Sequence, residues 1–195
     1  MSEQLLLPGI EAPVVPTDRL FFALRPDADA AEQIASLAQN LRDEHGLKGK
    51  PLKTPHFHVT LHFLGDHAGL PQPLVAVASQ AAARIATQPF PVMFDRVGSF
   101  RNKGRRLQPL VLRCGDDAPA LVAFRQTLTD ALKHAGIARG LDMRFTPHVT
   151  LLYDSRLLPE QVVAPIQWTV SEFVLIHSLI GKTRHIPLER WPLRG

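Results

Sequence analysis

The tetrapeptide His-Val-Thr-Leu occurs twice in this 195-residue chain, at residues 58–61 and 148–151. A Thr-Pro step closely precedes each copy, as Thr54-Pro55 and Thr146-Pro147. Side chains alternate between the two faces of a β-strand, so the histidine and threonine of each copy project together while the valine and leucine project to the other face. Each copy therefore predicts a half-buried strand that presents an imidazole and a hydroxyl side by side.

The two copies lie about half a chain apart, which is too far for a solenoid repeat and indicates an internal duplication. A buried strand at 19–24 and a helical pattern through Ile34 and Leu41 lead to the first copy. A strand at 108–114 and a helix at 119–135 lead to the second. We expect an α+β fold of two pseudo-symmetric lobes of antiparallel sheet, with outer helices, around a central cleft.

Hydrophobic periodicity and turn residues predict the remaining elements. The motif strands are predicted at Phe57 to Leu64 and Arg144 to Tyr153, a second helix at Gln72 to Ala86, a strand at Phe90 to Val97 before a basic loop at 101–106, a helical turn at Pro159 to Val163, and closing strands at Val170 to Ile180 and His185 to Trp191. Three prolines without periodicity predict an N-terminal tail at 1–17, which leaves 18–195 as a single bilobal domain.

Composition limits the setting of the protein but does not identify its partner. The formal net charge of +4 and the pI near 9.6 are compatible with anionic partners such as nucleic acid. The single cysteine, Cys114, lies in an apolar run and is expected to be a buried structural residue; with no second cysteine to pair with, the chain is expected in the cytoplasm. No signal peptide is expected, because residues 1–17 include Glu3 and no basic residue and their apolar run stops at Pro8. No membrane span is expected either, because no apolar run approaches about 20 residues.

The paired motifs are suited to acid-base chemistry on a phosphodiester. Opening a cyclic phosphate needs one group that takes a proton from water and another that gives a proton to the departing oxygen. Imidazole suits both tasks, because its ordinary pKa near 6.5 makes both protonation states accessible near neutral pH. The hydroxyls of Thr60 and Thr150 can donate hydrogen bonds to phosphate oxygens. We therefore expect His58 and His148 to be catalytic and the two threonines to bind the substrate.

The chain resembles the 2H phosphoesterase superfamily, and within it the bacterial RNA 2',3'-cyclic phosphodiesterases, also called 2'-5' RNA ligases. The resemblance covers about 19–192 and rests on the paired His-x-Thr-x strands, the opening Leu20-Phe21-Phe22-Ala23-Leu24, Gly65 after Phe63-Leu64, and the closing Phe173-Val174-Leu175 with Ser178 and Trp191. It implies metal-independent hydrolysis, no cofactor, a substrate that is RNA or a nucleotide with a 2',3'-cyclic phosphate, and a 2'-phosphomonoester product. We assign His58 as the general acid and His148 as the general base, but the two identical motifs do not distinguish these roles and the reverse assignment stays open. Weak reverse 2'-5' joining is also expected from the resemblance.

Other side chains are candidates for substrate binding. In the related RNA-processing proteins the second motif strand often continues to a basic residue, whereas Tyr153 follows Leu152 here and could donate a hydrogen bond or stack on a base. Arg105 and Arg106 belong to the basic loop at 101–106, which either steers phosphates or is a solvated hairpin tip. Lys48, Lys50 and Lys53 allow the same two interpretations. His56 is expected at the rim of the cleft, and His185 is expected to be solvated or structural.

Two alternative functions remain open from the sequence. His56, His58, Thr60 and His62 would share one strand face, and the three histidines could make the protein a metal-dependent hydrolase. Alternatively, the histidines could do no chemistry, in which case the protein would be a nucleic-acid-binding module. Loss of activity with a chelator would favour the first alternative, and binding without turnover would favour the second.

Overall fold

The computed structural model describes residues 15–115, 118–138, 141 and 145–194. The elements in this part of the chain are β1 (Asp18–Leu24), α1 (Ala28–Glu44), a 3₁₀ turn (Thr54–His56), β2 (Val59–His67), α2 (Gln72–Ala82), β3 (Phe90–Ser99), β4 (Gln108–Arg113), α3 (Pro119–His134), β5 (His148–Asp154), β6 (Gln161–Val170), β7 (Glu172–Leu179) and β8 (Arg184–Pro192). None of these helices is long and apolar enough to cross a membrane.

The eight strands form one antiparallel sheet in the order β6-β3-β4-β5-β2-β1-β7-β8. Strands β2, β1, β7 and β8 make one half of this sheet, and β5, β4, β3 and β6 make the other. The two halves meet where β2 lies beside β5, and Val59 and Val149 form the backbone pair between those strands. The predicted α+β class with two antiparallel lobes is confirmed, and the lobes share a continuous sheet.

The two halves are built by the same chain path. β1 leads through α1 to β2, and β4 leads through α3 to β5, so each motif strand pairs with the strand that precedes its helix. This equivalence is what the duplicated sequence predicted. It places the starts of both motif strands next to each other at the centre of the sheet.

The main hydrophobic core covers one face of the sheet and includes side chains from both halves and all three helices. Leu20, Phe22 and Leu24 of β1 are fully buried in it, whereas Phe21 and Ala23, which alternate with them, lie in a smaller cluster on the opposite face. The face of the sheet opposite the helices is therefore left for the site.

Helix α1 follows the sequence rules closely. The Asp27 carboxylate accepts a hydrogen bond from the Ala30 N–H at 2.8 Å, which caps the first turn. Ile34, Ala38 and Leu41 bury the helical stripe, and Gly46 adopts a φ of 60° just beyond the last turn. The cap, the stripe and the terminal glycine explain why this helix could be predicted well.

The prediction of a helical turn at Pro159 to Val163 is wrong, because Gln161–Val170 forms the edge strand β6. Strand β3 supplies the partner, with Val162 opposite Arg96 and Val170 opposite Phe90. Pairing with a strand distant in sequence outweighs a short local pattern, and Pro165 is tolerated at the edge of a sheet. The closing strand consequently begins at Glu172 and not at Val170.

The remaining element boundaries differ modestly from the predictions. Helix α2 ends at Ala82, four residues before the predicted end, and β5 begins at His148 while the preceding residues 145–147 are not in a strand. Arg144, the predicted start of that strand, lies outside the described residues. Most of the predicted N-terminal tail also lies outside them, although Thr17 exchanges backbone hydrogen bonds with His67 and Ile180.

Candidate active site

A cavity of about 340 Å³ opens on the sheet face opposite the helices, where β2 and β5 meet. The lining side chains include all four motif residues that the sequence predicted to act together: His58, Thr60, His148 and Thr150. The valines that alternate with them, Val59 and Val149, are fully buried on the core side. The alternation expected for extended strands thus brings both imidazoles and both hydroxyls into one cavity.

The backbone holds the two imidazoles in the same way. His58 Nδ1 lies 2.7 Å from the carbonyl oxygen of His56, and His148 Nδ1 lies 2.7 Å from that of Thr146. A carbonyl oxygen only accepts hydrogen bonds, so Nδ1 carries the proton in both rings. Each ring therefore has its Nε2 left for the cavity, as a base when the ring is neutral and as an acid when it is protonated.

The two imidazoles differ in their neighbours. The ring of His58 lies 5.0 Å from the ring of Phe21 and 5.3 Å from that of His185, between centroids. His185 also contacts His56, with 4.9 Å between the ring centroids. The ring of His148 instead meets the edge of Phe100 at 4.9 Å. One imidazole thus belongs to a cluster of three, and the other is flanked by a hydrocarbon ring.

These surroundings lower the pKa of both catalytic candidates. Burial is the largest cause for His58, whose pKa falls to about 4, and positive charge on His148, Arg25 and His56 lowers it further. Burial also lowers the pKa of His148, against the opposing effect of the hydrogen bond to Thr146. The two imidazoles are therefore neutral in the empty cavity at pH 7, and a bound anion would raise the pKa of each.

The prediction that His62 shares a face with His58 and Thr60 is wrong. β2 carries a bulge: Thr60 pairs with Ala23 and His62 pairs with the adjacent Phe22, so Leu61 has no partner in register. The extra residue turns His62 toward α3, where its Nε2 lies 2.8 Å from the Thr129 hydroxyl and its side chain is buried. Phe63 faces the cavity in its place.

This correction removes the proposed cluster of His56, His58 and His62. Among the described residues, no three side chains of the metal-binding types are arranged to hold an ion.

Cys114 is buried as expected, and burial together with Asp95 raises the pKa of its thiol to about 12, so the sulfur stays protonated.

β5 carries the equivalent bulge. Thr150 pairs with Val111 and Leu152 pairs with the adjacent Leu110, which leaves Leu151 without a partner in register. Leu152 is fully buried, and Tyr153 lines the cavity with 44% of its surface exposed. The duplication thus includes the bulge as well as the tetrapeptide, and it returns the fifth residue after each histidine to the cavity.

Arg19 is a cavity residue that the sequence did not indicate. It is the one Lys or Arg side chain among the described residues that line the cavity. Its guanidinium makes two hydrogen bonds to Asp66, at 2.7 and 2.8 Å, and lies over the ring of Phe63 at 5.5 Å from the centroid. The alternation of β1, in which Leu20 is buried and Arg19 and Phe21 face the cavity, could have identified it.

Of the other predicted binding residues, His56 and Tyr153 line the cavity, whereas Arg105 and Arg106 do not. Both arginines are exposed in the β3–β4 hairpin tip. His185, expected to be solvated or structural, lines the cavity together with Ser178 and Thr183. β7 supplies Ser178, β8 supplies His185, and the turn between the two strands supplies Thr183. A lone histidine in this part of the chain carries no signal in the sequence.

The chain matches known proteins over most of its length. The family model described as the 2'-5' RNA ligase superfamily matches residues 19–181. An RNA 2',3'-cyclic phosphodiesterase from Escherichia coli is 30% identical over 185 residues, which is 90% of this chain and 96% of the relative. A protein of the same name from Archaeoglobus fulgidus is 28% identical over 143 residues, with 73% of this chain and 76% of the relative covered.

Solved structures agree with this relationship. The crystal structure of E. coli LigT complexed with NADP+ matches with a TM-score of 0.68 and 28% identity, over 93% of this chain and all of that one. The complex of the same protein with 3'-AMP matches with a TM-score of 0.66 and 27% identity, over the same shares. From the family model, the relatives and the paired motif strands together, the chain belongs to the 2'-5' RNA ligase superfamily.

Proposed function

We propose that the protein hydrolyses 2',3'-cyclic phosphate ends of RNA or nucleotides to 2'-phosphomonoesters, with two histidines and without a metal ion. The observation that carries this proposal is the pair of imidazoles held by the same backbone hydrogen bond in one cavity, each beside a threonine hydroxyl. The names of the E. coli and A. fulgidus relatives support the substrate class.

The reaction needs one proton transfer at each end of the phosphorus centre. One imidazole Nε2 takes a proton from water as the water oxygen attacks phosphorus. The bond from phosphorus to the 3' oxygen breaks, and the other imidazole gives its Nε2 proton to that oxygen. Such transfers contribute about 10²–10⁴-fold each. The hydroxyls of Thr60 and Thr150 donate hydrogen bonds to the non-bridging oxygens, where negative charge is concentrated.

In this scheme His58 is the general acid and His148 the general base. Because the pKa of His58 in the empty cavity is about 4, its acid role requires the phosphate anion to raise that pKa when it binds. Arg19 lines the same cavity and contributes a permanent positive charge to it, which Asp66 offsets in part. His56 and Tyr153 bind the nucleoside part of the substrate at the rim.

A substrate with sulfur in place of the 3' oxygen tests the assignment of roles. A thiolate leaves without protonation, so loss of the acid costs little with this substrate while loss of the base costs as much as before. We expect His58→Ala to regain activity on the sulfur substrate and His148→Ala to remain impaired. The reverse result would exchange the two roles and leave the two-histidine mechanism intact.

The joining reaction follows from the same site. When the 5' hydroxyl of a second RNA takes the place of water, its oxygen attacks phosphorus and gives its proton to one imidazole, while the bond to the 3' oxygen breaks and the other imidazole protonates that oxygen. The product is a 2'-5' phosphodiester, so the protein joins 2'-5' linkages weakly. We further propose a cytoplasmic location and a single domain over 18–195; the buried, unpaired Cys114 supports the former and the core shared by both halves supports the latter.

A turnover screen tests the proposal as a whole. Cyclic 2',3'-mononucleotides and short RNAs with cyclic ends are incubated with the wild type, with and without EDTA, and phosphorus NMR locates the product phosphate. We expect EDTA-insensitive turnover to a 2'-phosphate. Full loss with EDTA that zinc or manganese restores would indicate a metal-dependent hydrolase. Binding without turnover would indicate a nucleic-acid-binding module.

A further inference from the structure

Two basic segments from different parts of the chain lie beside the same end of β5, where Tyr153 lines the cavity. Residues 48–53 carry three lysines and residues 101–106 carry three arginines and a lysine, and neither segment contains an acidic residue. All seven cationic side chains are exposed. We name these two segments together the basic face.

The first segment is fixed against the end of β5. The buried carboxylate of Asp154 accepts hydrogen bonds from the N–H groups of Lys48 and Gly49, at 2.6 and 2.7 Å. A Cβ on Gly49 would lie 2.1 Å from the Tyr153 carbonyl oxygen, so the two backbones are in close contact. Further along, the Leu52 N–H bonds to the Leu151 carbonyl oxygen at 2.8 Å, and Leu52 lines the cavity.

The second segment begins and ends beside the same strand. The Phe100 N–H bonds to the carbonyl oxygen of Pro109, which pairs in turn with Tyr153, and the ring of Phe100 contacts His148. Gln108 pairs with Asp154 and orders the tip, because its side-chain oxygen accepts from the Asn102 N–H at 2.6 Å. The two segments therefore flank Tyr153, on either side of the end of β5.

The charges of the basic face are not neutralised within the part of the chain that the structure describes. Salt bridges there involve other cations, such as Arg19 with Asp66 and Arg113 with Glu160, and no lysine or arginine of either segment. A solvated hairpin tip would account for one such segment. It would not account for a second one fixed to the same strand end, next to an exposed tyrosine that lines the cavity.

We propose that the basic face binds the single-stranded RNA that precedes the cyclic-phosphate nucleotide. The base of the terminal nucleoside stacks on Tyr153, the preceding strand leaves the cavity past this side chain, and its phosphates lie against residues 48–53 and 101–106. Aromatic stacking with flanking cations is how proteins hold single strands without reading their sequence. This inference rests on the proposed function and extends it: the substrate is an RNA end, preferred over a free cyclic nucleotide.

The test compares two substrates and three double variants. Arg105→Gln with Arg106→Gln and Lys50→Gln with Lys53→Gln each remove two charges from one segment. The matched control, Arg84→Gln with Lys133→Gln, removes two exposed charges that follow α2 and end α3, on the helix side of the sheet. The substrates are a cyclic mononucleotide and a 12-nucleotide RNA with a cyclic end, and a thermal melt checks that each variant is folded.

We expect either basic-face pair to lower kcat/KM for the RNA about tenfold or more at low salt, with mononucleotide turnover within twofold of wild type. The affinity for a labelled RNA that ends in a 2'-phosphate should also become less salt-dependent: the slope of log affinity against log salt should fall by about 1.4, from about 0.7 for each charge removed. The control pair should change neither.

Three outcomes would overturn the inference. They are an unchanged salt slope in both basic-face variants, an equal loss of kcat/KM on the RNA and on the mononucleotide, or an effect of the control pair as large as that of the basic-face pairs. Its failure is separable from failure of the proposed function. If the wild type turns over mononucleotides and its kcat/KM is no higher for the longer RNA, the proposal that the basic face binds RNA is wrong and the proposed hydrolase activity is unaffected. If neither substrate turns over, the hydrolase is wrong, and the salt slope still decides whether these segments bind RNA.

Discussion

β2 and β5 carry the same motif, but the two strands give their histidines different surroundings. The features that the strand itself builds are equivalent: the hydrogen bond at Nδ1, the threonine two residues on, and the bulge after it. The neighbours come from elsewhere in the chain. β8 places His185 beside His58, and the end of β3 places Phe100 beside His148. Duplicated sequence sets the geometry, and unduplicated sequence sets the local charge.

The strongest test of this equivalence is to remove each imidazole in turn. We expect His58→Ala and His148→Ala each to lower kcat by about 10²–10⁴-fold, because each removes one of two proton transfers. The double variant should lose little more than the worse single variant, since the residual rate no longer depends on acid-base catalysis. Steady-state turnover of a cyclic mononucleotide measures this. Near-normal turnover in either single variant would break the comparison.

The hydroxyls allow a second comparison between the strands. Thr60→Val and Thr150→Val keep the shape of the side chain and remove its hydrogen-bond donor. We expect each to lower kcat by about 10²-fold, the lower end of what loss of an oxyanion donor costs. Thr→Ser at each position keeps the donor and serves as the control. A loss at one position alone would show that a single strand holds the phosphate oxygens.

The pH dependence of turnover tests the difference between the surroundings of His58 and those of His148. The profile of kcat/KM reports the free enzyme, in which the pKa of His58 is about 4 and that of His148 lies below 6.5. The acid loses its proton as the pH rises above 4, and the base gains one as the pH falls through its own pKa. We therefore expect kcat/KM to peak below pH 6.5 and then to fall about tenfold per pH unit.

The bound anion raises both pKa values, so the kcat profile should lie at higher pH than the kcat/KM profile. Measurements of both profiles in buffers of constant ionic strength test this order. A kcat/KM optimum above pH 7.5 would contradict the lowered pKa of His58 in the empty cavity. Coincident profiles would contradict a rise of that pKa when the anion binds.

The smallest expected effect concerns stability, at the position where the strands differ most. His62 in β2 corresponds to Leu152 in β5, and burial lowers the pKa of His62 to about 4. Between pH 6.5 and pH 4 the unfolded chain binds the proton that the folded one refuses, so His62 lowers the stability as the pH falls. We expect His62→Leu to reduce the difference between the free energies of unfolding at pH 7 and pH 4.5.

Urea denaturation at the two pH values measures that difference. Thr129→Val is the matched control, because it removes the hydrogen-bond partner of His62 and keeps the titrating ring in place. A pH dependence identical to that of the wild type in the leucine variant would contradict the assignment.

The sequence predicted two equivalent halves because the tetrapeptide is repeated. It predicted that the histidine and threonine of each copy share one face because side chains alternate along a strand. It could not predict the bulge at Leu61, since the register with β1 decides which residue is left unpaired. That one residue moves His62 to the core face and Phe63 to the cavity face. The strand character of β6 depended on pairing with β3. The alternation of β1 could have placed Arg19 on the face opposite Leu20, whereas His185 reaches the cavity from β8 and only the tertiary order of the sheet brings it there.

The backbone hydrogen bonds at Nδ1 also determine how the enzyme is restored between cycles. In the proposed mechanism, one hydrolysis leaves the base with a proton and the acid without one, so the pair has exchanged states. Because the far nitrogen of each ring is committed to a carbonyl oxygen, neither imidazole can relay that proton through the protein interior. The proton must return by way of solvent that enters from the mouth of the cavity, which makes departure of the product a precondition of the next turnover.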